Sequence, residues 1–159
     1  MKFVAFLRGI NVGGVKLSAA EQKKLFLDAG LAEVSTVLAT GNVIFESPSA
    51  EPDLSFLPVA SFVRTDESVR QLIEQNPFPK AADKHIYVLI CQSEFLSVAK
   101  NQPVSPDESV KIIDDMVYWQ VPVGQMLKTP FGKLLGKKIY QNLFTSRNLN
   151  TIEKIIKKL

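Results

Sequence analysis

The apolar and polar positions switch between two periods along the chain, and the switches mark its elements. Lys2–Leu7 is an almost unbroken apolar, β-prone run, the pattern of a buried strand. Ser18 stands three residues before Glu21, the spacing of a capping box, and predicts a helix to about Ala29 with Gly30 as its stop. Leu25 and Ala29, with Leu17 and Leu27, supply the expected apolar face of that helix. Glu33–Ala39 and Asn42–Glu46 read as strands joined at Thr40-Gly41. Glu51–Pro58 is Pro/Ser-rich and reads as a loop or a short helical turn, followed by a strand over Val59–Arg64. Asp66–Asn76 is a helix capped by Thr65 or Asp66 and halted at Pro77.

Asn76-Pro77-Phe78-Pro79 divides the chain. Beyond it, His85–Cys91 is a strand, Ser93–Lys100 a helix, and Val110–Asp114 and Met116–Val121 a hairpin across Asp114-Asp115. Thr129-Pro130 has the N-cap and N1 chemistry of a helix to Leu135. Asn148–Leu159 places Leu149, Ile152, Ile155, Ile156 and Leu159 on one face of a terminal helix. The class is α+β with mostly antiparallel sheet, in two subdomains over residues 1–79 and 80–159.

With 159 residues and a 46% apolar content, the chain has the composition of a folded protein rather than a disordered one. No apolar run reaches the ~18–20 residues of a membrane span, and the start has no signal-peptide pattern. One cysteine, Cys91, excludes an internal disulfide framework and a thiolate zinc site. Its setting among Ile and Val predicts an inert buried thiol. The single histidine, His85, sits at a strand start with no catalytic motif around it. No metal ligand set and no cofactor motif is expected.

Charge changes the picture by where it lies. Residues 126–159 carry eight Lys/Arg against Glu153 alone, a net of +7, whereas residues 1–125 are net negative. Such asymmetry is the footprint of a surface that meets phosphate, nucleic acid or an anionic lipid face; the plainer reading is a solvated helix with lysines at its negative dipole end.

Two segments carry candidate chemistry. Arg8-Gly9-Ile10-Asn11-Val12-Gly13-Gly14 joins a strand to a helix, and its glycines allow backbone N–H groups to approach an anion. It fits neither standard nucleotide loop, because a G-x-G-x-x-G spacing is lacking and Val15 intervenes before Lys16. Thr145-Ser146-Arg147-Asn148-Leu149-Asn150-Thr151 reads as the start of the last helix, with cap residues and an arginine able to fork onto a phosphate. A structural turn in the first and an ordinary cap in the second are the competing readings. Tyr118-Trp119, near lysines, offers a weaker base-stacking pair.

Together, Leu7-Arg8-Gly9-Ile10-Asn11-Val12-Gly13-Gly14, Thr40-Gly41-Asn42-Val43, Asn76-Pro77-Phe78 and Arg147-Asn148-Leu149-Asn150-Thr151 resemble the bacterial domain-of-unknown-function 1697 family. The resemblance implies an α+β protein of two subdomains, each somewhat ferredoxin-like, from a soluble bacterial source, and implies no activity. Two departures stand out: Leu149 replaces the family's usual Trp, and the segment Glu51–Pro58 is shorter than the family's helical one. The family's motifs fall on Arg8, Asn11, Asn42, Arg147, Asn148 and Asn150. The expectation is therefore a site for a phosphate-bearing ligand, nucleic acid or nucleotide, formed by Arg8, Gly9, Asn11, Gly13, Gly14, Asn42, Arg147, Asn148 and Asn150. An enzyme acting on a small anionic metabolite and a protein-interaction domain are the alternatives. The setting is expected to be cytoplasmic, with no membrane partner.

Overall fold

The computed structural model describes residues 1–12 and 14–159, so Gly13 of the glycine-rich loop lies outside the described residues. The chain divides into two compact units, Met1–Gln71 with Glu153–Leu159, and Leu72–Ile152.

The first unit contains β1 (Lys2–Leu7), α1 (Ala19–Asp28), β2 (Ala32–Thr36), β3 (Asn42–Glu46) and β4 (Ser61–Thr65), with most of α2 (Asp66–Glu74). Its sheet is antiparallel, in the order β2-β3-β1-β4. The Ser18 capping box forms as the spacing predicts, with Ser18 accepting from the Glu21 N–H and Glu21 reaching back to the Ser18 N–H. The helix face differs from the expectation in part: Leu17 and Leu25 pack against the core as expected, but Ala29 is exposed. Phe26 and Gln22, four residues apart, are its buried positions, whereas Leu27 is half exposed. Phe26 packs on Phe45 at 5.3 Å between ring centroids, and Phe45 stacks on its cross-strand neighbour Phe3 at 5.6 Å. Ser47–Ala60 has no regular helix, and its Leu54 and Leu57 close the same core. Thr65 is the residue that caps α2, accepting from the Ser68 N–H.

The second unit runs β5 (Lys84–Cys91), α3 (Ser93–Asn101), β6 (Ser109–Ile113), β7 (Met116–Pro122), α4 (Pro130–Leu135), a 3₁₀ turn at Lys138–Tyr140 and β8 (Phe144–Asn148), and includes the start of α5 (Leu149–Lys158). Its antiparallel order, β6-β7-β5-β8, repeats the plan of the first sheet. Phe95, Trp119, Phe131 and Phe144 fill the core on the α3/α4 side. Thr129 caps α4 as expected, accepting from the Gly132 N–H with Pro130 behind it.

β8 overturns one expectation. Thr145–Asn148 is not the start of the last helix but a strand laid along β5, with Arg147 opposite Val88 and Asn148 opposite Tyr87. The open edge of β5 offered a full row of backbone partners, and that outweighed the capping preference of these side chains. Tyr118 and Trp119 are also corrected: both are buried, so neither face is open to a base.

Candidate functional site

In the first unit, the glycine-rich loop folds back on itself. Ile10 pairs with Val15 as an isolated bridge, and the Asn11 N–H donates to the Val15 carbonyl at 2.9 Å. The Gly9 carbonyl oxygen lies 2.7 Å from where a Cβ on Gly14 would sit, so only glycine permits this closure. Asn11 adopts a left-handed conformation (φ 58°), which asparagine tolerates better than most residues. Its Nδ2 donates to the carbonyls of Leu17 (2.5 Å) and Ala39 (2.6 Å), and its Oδ1 accepts from the Leu17 N–H (3.0 Å).

Gln22, which carries no motif in the sequence, makes the same pair of contacts. Its Nε2 donates to Leu17 O at 3.1 Å and Ala39 O at 3.0 Å from a fully buried position. Two carboxamides thus bracket the same two carbonyls and tie the loop to α1 and to the β2–β3 connection. A glutamine one turn before Phe26, on the buried stripe of α1, was the available signal. Asn42 also serves the connection: it is fully buried and donates to the Val37 carbonyl at 3.0 Å. It shapes the turn and presents no group to solvent. Arg8 is half-buried, and desolvation lowers its pKa from the ordinary guanidinium value. Gly9 and Gly14 are exposed.

A stabilising role for Asn11 has a direct check. Asn11→Ala is expected to cost about 2 kcal/mol, from three lost hydrogen bonds and the loss of the short polar side chain that lets asparagine tolerate a left-handed backbone. Asn11→Gly relieves the backbone part and is expected to cost about half as much. Urea denaturation measures both. Equal stability of all three proteins would remove the bracket as the reason for this residue.

In the second unit, strand geometry separates the residues of the other cluster. Side chains alternate along β8, so Arg147 and Asn148 leave opposite faces of the sheet. Arg147 Nη1 donates to Thr145 Oγ1 (2.7 Å) and to the Ser146 carbonyl (2.8 Å). Asn148, by contrast, ends the strand and caps the first turn of α5, its Oδ1 accepting from the Asn150 N–H at 2.9 Å. Its Nδ2 lies 3.4 Å from His85 Nδ1. Tyr87 flanks both: its ring sits 5.8 Å from that of His85, burial raises its pKa, and a hydrogen bond with Asn148 opposes the rise.

Asn148 and Asn150 line a groove of about 390 Å³ together with Lys80, Lys84, His85 and Ile86. No carboxylate belongs to the lining. The groove joins two ammonium groups, one imidazole and the first turn of α5, where the helix dipole favours negative charge. Lys80, Lys84 and His85 lie outside the sequence-derived set; they come to Asn148 only because β8 pairs with β5. Among the described residues, no group of three or more His, Cys, Asp or Glu is placed to hold a metal ion.

A second missed feature is Glu108, whose sequence neighbourhood suggests only a turn. It is buried, and its Oε1 accepts from Trp119 Nε1 at 2.9 Å. Oε2 accepts from the N–H groups of Ser105 (3.1 Å) and Phe131 (3.3 Å). Burial pushes its pKa up, but hydrogen bonds from Thr129, Ser105, Trp119 and Phe131 outweigh it and hold the carboxyl below its ordinary value. Tyr118, the neighbour of Trp119 along β7, donates to the Leu72 carbonyl; burial and then Asp114 push its pKa up to about 12.

Residues 1–56 match the family model Protein of unknown function (DUF1697). The DUF1697 match therefore contains Arg8, Gly9, Asn11, Gly14 and Asn42 and ends before the groove-lining residues. The fold is similar over its whole length to the conserved bacterial protein SP0830 from Streptococcus pneumoniae. The TM-score is 0.77 at 21% identity, covering 98% of this chain and 97% of that one. No curated protein matches the chain significantly. Among the described residues, no helix is long and apolar enough to cross a membrane.

Proposed function

We propose that the protein binds a phosphate-bearing ligand, a nucleotide or the end of a nucleic acid, in the groove of the second unit. The carrying observation is the lining itself: Lys80, Lys84 and His85 line one concavity with Asn148 and Asn150, and no carboxylate belongs to it. Its volume of about 390 Å³ falls at the lower end of the range for small-ligand sites, roughly 300–1,000 Å³, and favours a nucleotide-sized group over a duplex. Asn148, held by His85 and Asn150, orients the ligand, and the lysines neutralise it. Arg8, Gly9, Gly14 and Asn11 contribute through the architecture of the first unit. The β-α-β-β order and the shared strand arrangement support a ferredoxin-like reading of each unit, and a cytoplasmic setting follows the same reading of the sequence.

Fluorescence anisotropy of a labelled mixed-sequence oligonucleotide and of a labelled nucleoside triphosphate, across a salt titration, tests this. Affinity for both is expected to fall with salt, the oligonucleotide with a slope near −0.7 per neutralised phosphate. Lys84→Ala is expected to weaken both about tenfold, the effect of removing one charged contact worth ~1.4 kcal/mol. Affinity unchanged by salt or by Lys84→Ala would overturn the proposal.

A further inference from the structure

The strongest feature outside the groove is the surface around α4. From Met116 through Ile152 the chain has no Asp or Glu. Within this stretch Lys128, Lys133, Lys137 and Lys138 are all exposed, and none takes part in an ion pair among the described residues. Beside them stand the two most exposed large aliphatic side chains among the described residues, Leu127 at 78% and Ile139 at 77%. Each sits on a turn flanking α4, before and after it.

The inner side of this segment explains why the outer side is held in place. Met126, Phe131, Leu134, Leu135 and Tyr140 pack into the core of the second unit. Between and beside these anchors Leu127, Lys128, Lys133, Lys137, Lys138 and Ile139 are left exposed, whereas Thr129 is buried. The helix between the two aliphatic residues has six residues, about 9 Å of rise, so the four lysines and both aliphatics lie on one short stretch of chain around α4.

We propose that this α4 surface docks on an anionic lipid bilayer, with Leu127 and Ile139 below the headgroups and the four lysines on lipid phosphates. The charge selects a polyanion, and the two aliphatics select among polyanions. A nucleic-acid backbone offers such side chains no apolar partner and is read by aromatic or arginine stacking, which this surface lacks. A bilayer takes both, since protruding aliphatics enter the acyl boundary while lysines remain at the phosphates. The lack of a membrane-spanning run does not bear on such surface docking.

Co-sedimentation of the full chain with vesicles of phosphatidylcholine, and of phosphatidylcholine mixed with phosphatidylglycerol, tests the proposal. Binding is expected only with the anionic vesicles. Lys137→Gln with Lys138→Gln is expected to lower the partition coefficient about fivefold per lysine. Leu127→Ser with Ile139→Ser is expected to lower it by at least about tenfold without changing circular dichroism or the melting temperature, since both residues are exposed. Lys84→Ala leaves vesicle binding unchanged, which keeps this result separate from that of the groove. Absence of binding to anionic vesicles overturns the proposal. So does vesicle binding indifferent to the two serines, or an equal, serine-insensitive affinity for an oligonucleotide, which would make the surface a general polyanion site.

Discussion

Gly132→Ala is expected to destabilise the protein by about 3 kcal/mol or more, among the larger effects that one methyl group produces. A Cβ built on Gly132 would lie 1.7 Å from the Met126 carbonyl oxygen and 2.8 Å from its carbon, both backbone atoms. No rotamer change relieves an overlap with backbone. Either α4 or the Met126 turn has to move, and each is tied to the core through Phe131, Leu134 and Met126. The neighbouring glycine gives a matched control. A Cβ on Gly136 meets the Lys133 carbonyl oxygen at 3.5 Å, an ordinary contact, on a backbone with φ of −81°. Gly136→Ala is expected to change stability by less than about 0.5 kcal/mol, or to raise it slightly by restricting the unfolded chain. In thermal unfolding the first variant should melt roughly 10 °C lower and the second within about 2 °C of the native protein. Similar melting of the two variants would show that α4 yields to the added methyl group.

The second large effect belongs to Glu108. Glu108→Ala removes the acceptor of three N–H groups, those of Trp119, Ser105 and Phe131, and the partner of Thr129. Buried donors left without acceptors cost about 1–3 kcal/mol each, and partial access of water reduces the sum. The expected loss is about 3–5 kcal/mol, measured by urea denaturation at neutral pH. Glu108→Gln keeps the shape but turns an amide NH₂ toward N–H donors, so it is expected to recover less than half of that loss. The same carboxylate ties stability to pH. Its folded-state pKa lies below the ordinary 4.5, so its contribution is complete above that value. It is lost as pH falls through the folded-state pKa, where the unfolded chain binds the proton more readily. The native protein should therefore lose more stability on acidification below about pH 4.5 than Glu108→Gln does. Parallel stability–pH curves for the two proteins would exclude Glu108 as a source of acid sensitivity.

The two sites differ in how far local sequence betrays them. The Ser18 capping box, the Thr129-Pro130 start of α4, the Asp114-Asp115 hairpin turn and the apolar strand β1 all follow from interactions within a few residues. Such signals survive when the rest of the fold is unknown. The glycine-rich loop was legible as irregular backbone, but its closure by Asn11 and Gln22 was not, because both amides bind carbonyls set by the β2–β3 connection. In the groove, Asn148 and Asn150 were visible as cap-type residues, whereas Lys80, Lys84 and His85 carried no motif.

By itself, then, the sequence determined the element types wherever periodicity and capping are local, the α+β class, and the concentration of cationic charge after residue 125. Tertiary structure alone decided that Thr145–Asn148 is a strand, that Arg147 and Asn148 face opposite ways, and that Glu108 is a buried acceptor for Trp119 and Phe131. The physical reason is common to all three. Backbone and side-chain hydrogen-bonding groups must be satisfied wherever they are buried, and the partners here lie far along the chain, 11 residues apart for Trp119 and Glu108 and 59 for Arg147 and Val88, beyond the reach of any local pattern.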